Sequence, residues 1–178
     1  MLLTWSHAVM YLRDEAVMLD FYTRVLGFEI TDRSPLGEQG PDIIFLSQNP
    51  EEHHQLAMLP VRQDAESSNS VNHFAFRVTE FADLKALYDA LQPIDGIKVG
   101  PMSHGNTLSI YFNYPEGNGL EVFCDTPWHV AQPQGERWDI NLSEDQALAW
   151  VEATFGHEAS FQARENYYAQ RRRELNNR

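Results

Sequence analysis

Two histidines and one glutamate occupy short apolar segments where their side chains could ligate a metal ion. His7 lies in SHAVMYL, His73 in NHFAFRV and Glu121 in GLEVFCD. A lone histidine on an apolar strand is more often a hydrogen-bonded core residue, but an unpaired carboxylate among apolar neighbours would be costly to bury. Two imidazoles and one carboxylate form the facial triad of non-haem Fe(II) sites, and zinc accepts the same donors. The three residues therefore predict a divalent metal site with open coordination positions.

A further histidine, His54, begins the segment HQLAML. Apolar residues alternate from Leu56 to Met58, which is typical of a half-buried strand. Because His54 has the same parity as Leu56 and Met58, we expect it to face the same side of the strand. His53 has the opposite parity and is expected to point outward. The pattern alone leaves packing, metal binding and catalysis open as roles for His54.

The first 127 residues contain the same order of elements twice: a short alternating segment, an amphipathic helix and three strand-like runs. The helices are predicted from apolar residues spaced three or four positions apart, which places them on one face. These residues are Leu19, Tyr22, Val25 and Leu26 in the first half and Leu84, Leu87, Tyr88 and Leu91 in the second. Gly27 is the predicted C-cap of the first helix. We therefore expect an α+β protein of two tandem βαβββ modules, at about 4–62 and 70–127.

The two halves can be superposed on a shared Pro-Glu pair, which lays NPEEHHQLAML over YPEGNGLEVFC. Leu56 then corresponds to Glu121, and His7 corresponds to His73 if the turns allow one residue of slippage. Three of the four equivalent positions can bind a metal, and Leu56 leaves the fourth without a side-chain ligand. Gln55 would be a ligand only if the register of the strand shifted by one residue.

Composition narrows the class of protein. The chain has 178 residues, of which 43% are apolar, and a single cysteine, Cys124. One cysteine excludes an internal disulfide or a thiolate cluster and favours a cytoplasmic protein. The apolar runs are too short to span a membrane. The formal net charge of −13 argues against nucleic acid or an anionic membrane as a partner and disfavours a highly anionic substrate.

Residues 128–178 are predicted to form a C-terminal helical extension outside a domain that spans residues 1–127. Ser143 and Gln146 have the spacing of a capping box and predict the start of a helix. A second helical run is predicted from about Glu158 to Leu175, with arginines near its C-terminal end. We expect the extension to pack on the domain or on a second subunit, with a lid over the site as the alternative.

The segments around the predicted ligands carry a family resemblance. SHAVMYL, FYTRVLGFEI, NHFAFRV and IYFNYPEGNGLEVF are similar to segments of the vicinal oxygen chelate superfamily. That superfamily includes glyoxalases, fosfomycin and bleomycin resistance proteins, epimerases and type I extradiol dioxygenases. The resemblance covers residues 4 to about 127. It implies paired βαβββ modules that form a curved mixed sheet around a metal held by His7, His73 and Glu121.

Three more residues resemble functional positions of type I extradiol dioxygenases, in particular single-domain proteins of the biphenyl-2,3-diol 1,2-dioxygenase and catechol 2,3-dioxygenase type. His54 is similar to a histidine that acts as acid and base beside the metal, a role that suits a group titrating near neutral pH. Tyr111, in SIYFNYPEGNGLE, resembles a tyrosine that hydrogen-bonds a substrate oxygen. His104, in SHGNTL, resembles the histidine of a DHG-type segment, although Ser103 replaces the usual aspartate.

The resemblance therefore implies an Fe(II)-dependent extradiol dioxygenase that cleaves a small catechol-type aromatic with O2, with Mn(II) or Zn(II) as alternative metals. A metal-dependent lyase, isomerase or thiol transferase of the glyoxalase type is a second hypothesis, and its reaction would need no oxygen. A resistance protein that sequesters a planar ligand is a third, and it would bind the ligand without metal. A homodimer is expected, because an open sheet has edges that a second copy commonly covers.

Overall fold

The chain folds as an α+β protein of two compact units. The computed structural model describes residues 6–36, 39–49, 54–63 and 73–176. The first unit comprises Met1–Val71 with Tyr114–Asn118, and the second comprises Asn72–Asn113 with Gly119–Arg178. Each unit contains a four-stranded mixed sheet, and the predicted βαβββ order occurs twice. The expected fold class is therefore confirmed, whereas the predicted domain boundary at residue 127 stays a prediction.

The first unit holds four strands and one helical segment. These are β1 (Ala8–Tyr11), helix α1 (Glu15–Asp20) continued by a π-helical turn (Phe21–Val25), β2 (Glu29–Pro35), β3 (Asp42–Ser47) and β4 (Leu56–Leu59). The strand order is β1-β4-β3-β2, with β1 and β4 parallel and the other neighbours antiparallel. The first and last strands of the module are therefore neighbours, which brings the segments of His7 and His54 side by side.

The buried face of the first helical segment differs from the predicted apolar stripe. Its buried residues are Met18, Phe21 and Tyr22. Leu19, Val25 and Leu26, which the periodicity assigned to the core, are only half-buried. The π-helical turn places an extra residue in one turn and so rotates the side chains relative to a regular helix. Gly27 has a φ of +76°, as the predicted C-cap requires.

The second unit repeats the same architecture. Its elements are β5 (His73–Arg77), α2 (Phe81–Leu91), β6 (Gly100–Ser103), β7 (Thr107–Asn113) and β8 (Gly119–Asp125). The strand order is β5-β8-β7-β6, again with the first and last strands parallel. Leu84 and Leu91 of the predicted stripe are fully buried on the side of α2 that contacts β7 and β8. The strands that carry His73 and Glu121 are thus direct neighbours.

The C-terminal extension belongs to the second unit. Its elements are β9 (Trp128–His129), α3 (Glu144–Phe155), β10 (Gln162–Ala163) and α4 (Arg164–Asn176). The predicted capping box at Ser143 and Gln146 is confirmed by both of its hydrogen bonds. The last helix begins at Arg164 rather than near Glu158, because the residues just before it pair with β9. In the part of the chain that the structure describes, no helix is long and apolar enough to cross a membrane.

Candidate metal centre

Strands β5 and β8 bring two of the predicted ligands together. In this parallel pair His73 is level with Gly119, and Ala75 is level with Glu121. Residues two positions apart on a strand share a face, so His73 and Glu121 project from the same side of the sheet. The Nε2 atom of His73 lies 3.3 Å from the Oε2 atom of Glu121. Glu121 is only 7% exposed, and its buried carboxylate has the partner that burial of a charge requires.

The spacing of this pair fits a divalent ion. Two ligand atoms that each lie about 2.1 Å from one ion, at an angle of about 90 to 110°, are about 3.0 to 3.4 Å apart. The 3.3 Å between His73 Nε2 and Glu121 Oε2 falls within that range. Fe(II), Mn(II) and Zn(II) all accept an imidazole nitrogen and a carboxylate oxygen. The two side chains can therefore fill two adjacent coordination positions.

Tyr111 lies directly opposite Glu121 on the neighbouring strand β7. Its ring meets that of His73 edge to face, with the ring centroids 5.4 Å apart. Burial, reinforced by the neighbouring carboxylate of Glu121, raises the pKa of Tyr111 well above its usual value. The phenol therefore keeps its proton throughout the neutral range. The two predicted ligands thus have a permanent hydroxyl donor beside them.

His104 links Tyr111 to the C-terminal extension. Its Nε2 atom is 2.8 Å from the Tyr111 hydroxyl, and its Nδ1 atom contacts the carbonyl oxygen of Gln134. A carbonyl oxygen only accepts, so Nδ1 carries a proton, and a neutral ring then accepts at Nε2 from Tyr111. The backbone carbonyl oxygen of His104 accepts from the side-chain amide of Gln132 at 2.8 Å. The extension therefore fixes both the position and the tautomer of His104.

His7 and His54 lie together in the first unit, with their ring centroids 4.3 Å apart. The ring of His54 also meets Phe45 edge to face at 4.9 Å. Because Phe45 pairs with Ala57, the His54 ring lies on the face of the sheet that carries these two residues. Leu56 points to the opposite face, towards the buried core. The expectation that His54 faces with Leu56 is wrong, because β4 begins only at Leu56 and strict alternation does not extend to a residue before the strand.

The position equivalent to Glu121 in the first unit is Ala57 rather than Leu56. In the second unit the residue two positions after the histidine pairs with Glu121. The corresponding residue in the first unit, Val9, pairs with Ala57. The superposition on the Pro-Glu pair is wrong by one residue, because the loop between that pair and the strand is one residue longer in the first half. Since Ala57 is apolar too, the fourth position still has no side-chain ligand.

The third predicted ligand, His7, belongs to the first unit, whereas His73 and Glu121 belong to the second. Among the described residues, no group of three or more His, Cys, Asp or Glu side chains lies close enough together to hold an ion. The structure therefore assembles the His73–Glu121 pair, and the three-ligand set stays a prediction. His53, expected to point outward, lies outside the described residues.

A cavity of about 620 Å³ lies in the second unit, and His73 and Tyr111 are in its lining. The volume is typical of sites for small molecules. Lys98 and Arg137 are also among the residues that line this cavity. Sequence reasoning missed both, because neither belongs to a motif that indicates chemistry. Lys98 precedes β6 and Arg137 lies in the extension, so only the tertiary fold brings them to one cavity.

The amino-acid sequence is similar to one protein family and to several curated proteins. A family model described as the Glyoxalase/Bleomycin resistance protein/Dioxygenase superfamily matches residues 4–122. Catechol-2,3-dioxygenase of Bacillus subtilis (strain 168) is 31% identical over 128 residues, which cover 68% of this chain and 41% of that protein. Biphenyl-2,3-diol 1,2-dioxygenase of Paraburkholderia xenovorans (strain LB400) is 31% identical over 161 residues, which cover 81% and 50%. The chain spans about half the length of the curated relatives it matches.

Solved structures with a similar fold include two fosfomycin resistance proteins. FosX from Mesorhizobium loti superposes with a TM-score of 0.52 at 23% identity, over 68% of this chain and 91% of FosX. FosX from Listeria monocytogenes, in complex with Mn(II) and sulfate, superposes with a TM-score of 0.55 at 16% identity, over 71% and 95%. At these identities the likeness is one of fold.

Proposed function

The chain belongs to the glyoxalase/bleomycin resistance protein/dioxygenase superfamily, and from this membership we propose that it is an Fe(II)-dependent extradiol dioxygenase acting on a catechol-type aromatic. The curated relatives at about 30% identity carry the names of catechol and biphenyl-diol dioxygenases. The observation that carries the proposal is the ring of His54 against that of His7, with centroids 4.3 Å apart. A proton-transfer group held against a predicted metal ligand is what ring cleavage of a catechol requires.

The proposed iron ligands are His7, His73 and Glu121. The 3.3 Å spacing of the His73 and Glu121 donor atoms supports two of the three positions. Fe(II), when bound, supplies the route by which electrons of a catechol reach dioxygen. With an apolar residue, Ala57, at the fourth equivalent position, the protein offers no further side-chain donor there, so room remains for both substrates.

His54 is the proposed acid and base. An imidazole exchanges protons near neutral pH, so it can take a proton from a catechol hydroxyl and return it later in the reaction. Contacts with the rings of His7 and Phe45 hold the His54 ring on one face of the sheet. These contacts limit the orientations of the ring and support a role that depends on position.

Tyr111 and His104 are proposed to orient the substrate. Tyr111 lines the cavity beside His73, and its raised pKa keeps the hydroxyl available as a donor. His104 holds that hydroxyl at 2.8 Å and is itself held by the carbonyl of Gln134. A substrate oxygen that enters the cavity can replace His104 as the acceptor of the Tyr111 proton or donate its own proton to the phenol oxygen.

The test is oxygen uptake by protein reconstituted anaerobically with Fe(II), measured with a panel of catechols and repeated with Zn(II). We expect uptake that needs both iron and a catechol, and a ring-opened product. His54→Ala should lower turnover roughly 10²-fold or more, with the iron content unchanged. The matched control is His157→Ala, because the side chain of His157 is 74% exposed and lies on the surface after α3.

Two results would count against the proposal. No uptake from a protein shown to hold iron would exclude the dioxygenase and favour an oxygen-independent lyase, isomerase or thiol transferase. Loss of iron in His54→Ala would make His54 a ligand and remove it as the acid and base.

A further inference from the structure

We propose that the substrate carries an anionic substituent, a carboxylate, which Lys98 and Arg137 bind in the cavity. This inference rests on the proposed function, because it adds the substrate class to the same site. The two cations line the cavity together with His73 and Tyr111. A ligand that occupies it therefore meets predicted catalytic groups and positive charge at once.

The charge of this cavity is opposite to that of the chain. The protein has 26 acidic and 13 basic residues, so a charged residue chosen at random is twice as often acidic as basic. Among the described residues, the cavity lining includes the basic residues Lys98 and Arg137 and no aspartate or glutamate. The potential inside a cleft follows its lining more than the net charge of the protein. The cavity can therefore attract an anion that the rest of the surface repels.

Among the described residues, several arginines pair with an acidic side chain, whereas Lys98 and Arg137 do not. Arg24, Arg33, Arg77 and Arg164 each form an ion pair with an aspartate or glutamate. Within the part of the chain that the structure describes, neither Lys98 nor Arg137 forms such a pair. Both side chains are exposed, so they keep their hydration and remain free to bind a carboxylate.

The backbone next to Arg137 is held firmly. Glu136 exchanges backbone hydrogen bonds of 2.8 and 2.9 Å with Ser103 at the end of β6. Trp138, on the other side, is 5% exposed and donates its indole N–H to the carbonyl oxygen of Ser109 at 3.1 Å. Arg137 is thus presented from a fixed segment of the extension, which reduces the entropy lost when it binds a ligand.

The experiment compares 3,4-dihydroxyphenylacetate with its neutral methyl ester. Both present the same catechol, so a difference between them reports the carboxylate. Binding is measured by calorimetry on the Fe(II) protein without oxygen, and KM is measured by oxygen uptake. The variants are Lys98→Gln, Arg137→Gln and the double variant. Arg172→Gln on α4 is the control, because it removes an exposed positive charge that is not in the cavity lining.

We expect wild type to bind the acid more tightly than the ester. Each single variant should weaken binding of the acid about two- to fivefold, and the double variant about tenfold, as for exposed ion pairs. Binding of the ester should change much less than binding of the acid in these variants, and raising the salt concentration should mainly weaken binding of the acid. The control should bind both ligands as wild type does.

The outcomes separate this inference from the proposed function. Equal binding of acid and ester, or a preference that survives in the double variant, overturns the anionic substrate even if both catechols are cleaved. Charge-dependent binding without oxygen uptake would support the anion site and contradict the proposed dioxygenase activity.

Discussion

Gly105→Ala tests whether close packing between the C-terminal extension and the loop after β6 stabilises the protein. Gly105 follows β6 with a φ of +76°, in the left-handed region that favours glycine. A Cβ atom placed there would lie 2.5 Å from Cγ1 of Val130 and 3.2 Å from Cγ of Phe155. Both of these residues are fully buried in the extension. The substitution therefore combines backbone strain with a steric clash against the extension.

The two contributions can be separated with a second glycine. Gly96 has a φ of +82°, and no atom lies within 4 Å of its added Cβ. Gly96→Ala should therefore carry only the backbone cost, about 1 kcal/mol. Gly105→Ala carries the same cost plus overpacking of about 1 to 3 kcal/mol. We expect the free energy of unfolding to fall by about 2 to 4 kcal/mol in Gly105→Ala.

The assay is urea unfolding followed by tryptophan fluorescence, since Trp128, Trp138 and Trp150 all lie in the extension. A third variant, Val130→Ala, should recover part of the loss when combined with Gly105→Ala, because it removes the atom that the new Cβ meets. Equal losses of unfolding free energy in Gly105→Ala and Gly96→Ala would refute the reasoning. So would the absence of any coupling between Gly105→Ala and Val130→Ala.

Two further predictions concern buried charge and a buried thiol. Glu116→Ala should lower the free energy of unfolding by about 3 to 5 kcal/mol, because it removes a buried carboxylate that pairs with the 10% exposed side chain of Arg62 and accepts from the Arg13 and Asp14 backbone N–H groups. Denaturant titration measures the loss. A loss below about 1 kcal/mol would show that the pair behaves as an exposed one. Burial raises the pKa of Cys124 from 9.0 to about 11, so the thiol of the unfolded chain ionises at a lower pH than the thiol of the folded protein. The stability present below pH 9 is therefore lost as pH rises towards about 11, at up to about 1.4 kcal/mol per pH unit. Unfolding measured at several pH values should show this slope in wild type and a smaller slope in Cys124→Ala, and identical slopes would contradict the assignment.

Periodicity was sufficient to predict the order of elements and much of the core. The stripe of α2 includes Leu84 and Leu91, both fully buried, because α2 is a regular helix in which spacing determines the face. In the first helix only Tyr22 of the predicted stripe is fully buried, because the π-helical turn at Phe21–Val25 breaks that spacing. No pattern in the amino acids indicates such a turn, since its residues also suit an ordinary helix.

The site could be predicted where its residues lie on regular strands. Parity on β5 and β8 is sufficient to place His73 and Glu121 on one face. Parity failed for His54, which precedes β4 and so is not bound by the alternation of that strand. Lys98 and Arg137 could not be predicted at all, because they come together only through the folding of β6 and the extension.

The matching strand orders of the two sheets have an evolutionary consequence. They are what duplication of a gene for one module leaves, with each copy then free to change. One copy now carries Glu121 at this position, whereas the other has Ala57. A single change at the second nucleotide turns any alanine codon into a glutamate or an aspartate codon. One base change at Ala57 would therefore place an oxygen donor on the face of His7, so a site with a further metal ligand lies a single mutation away.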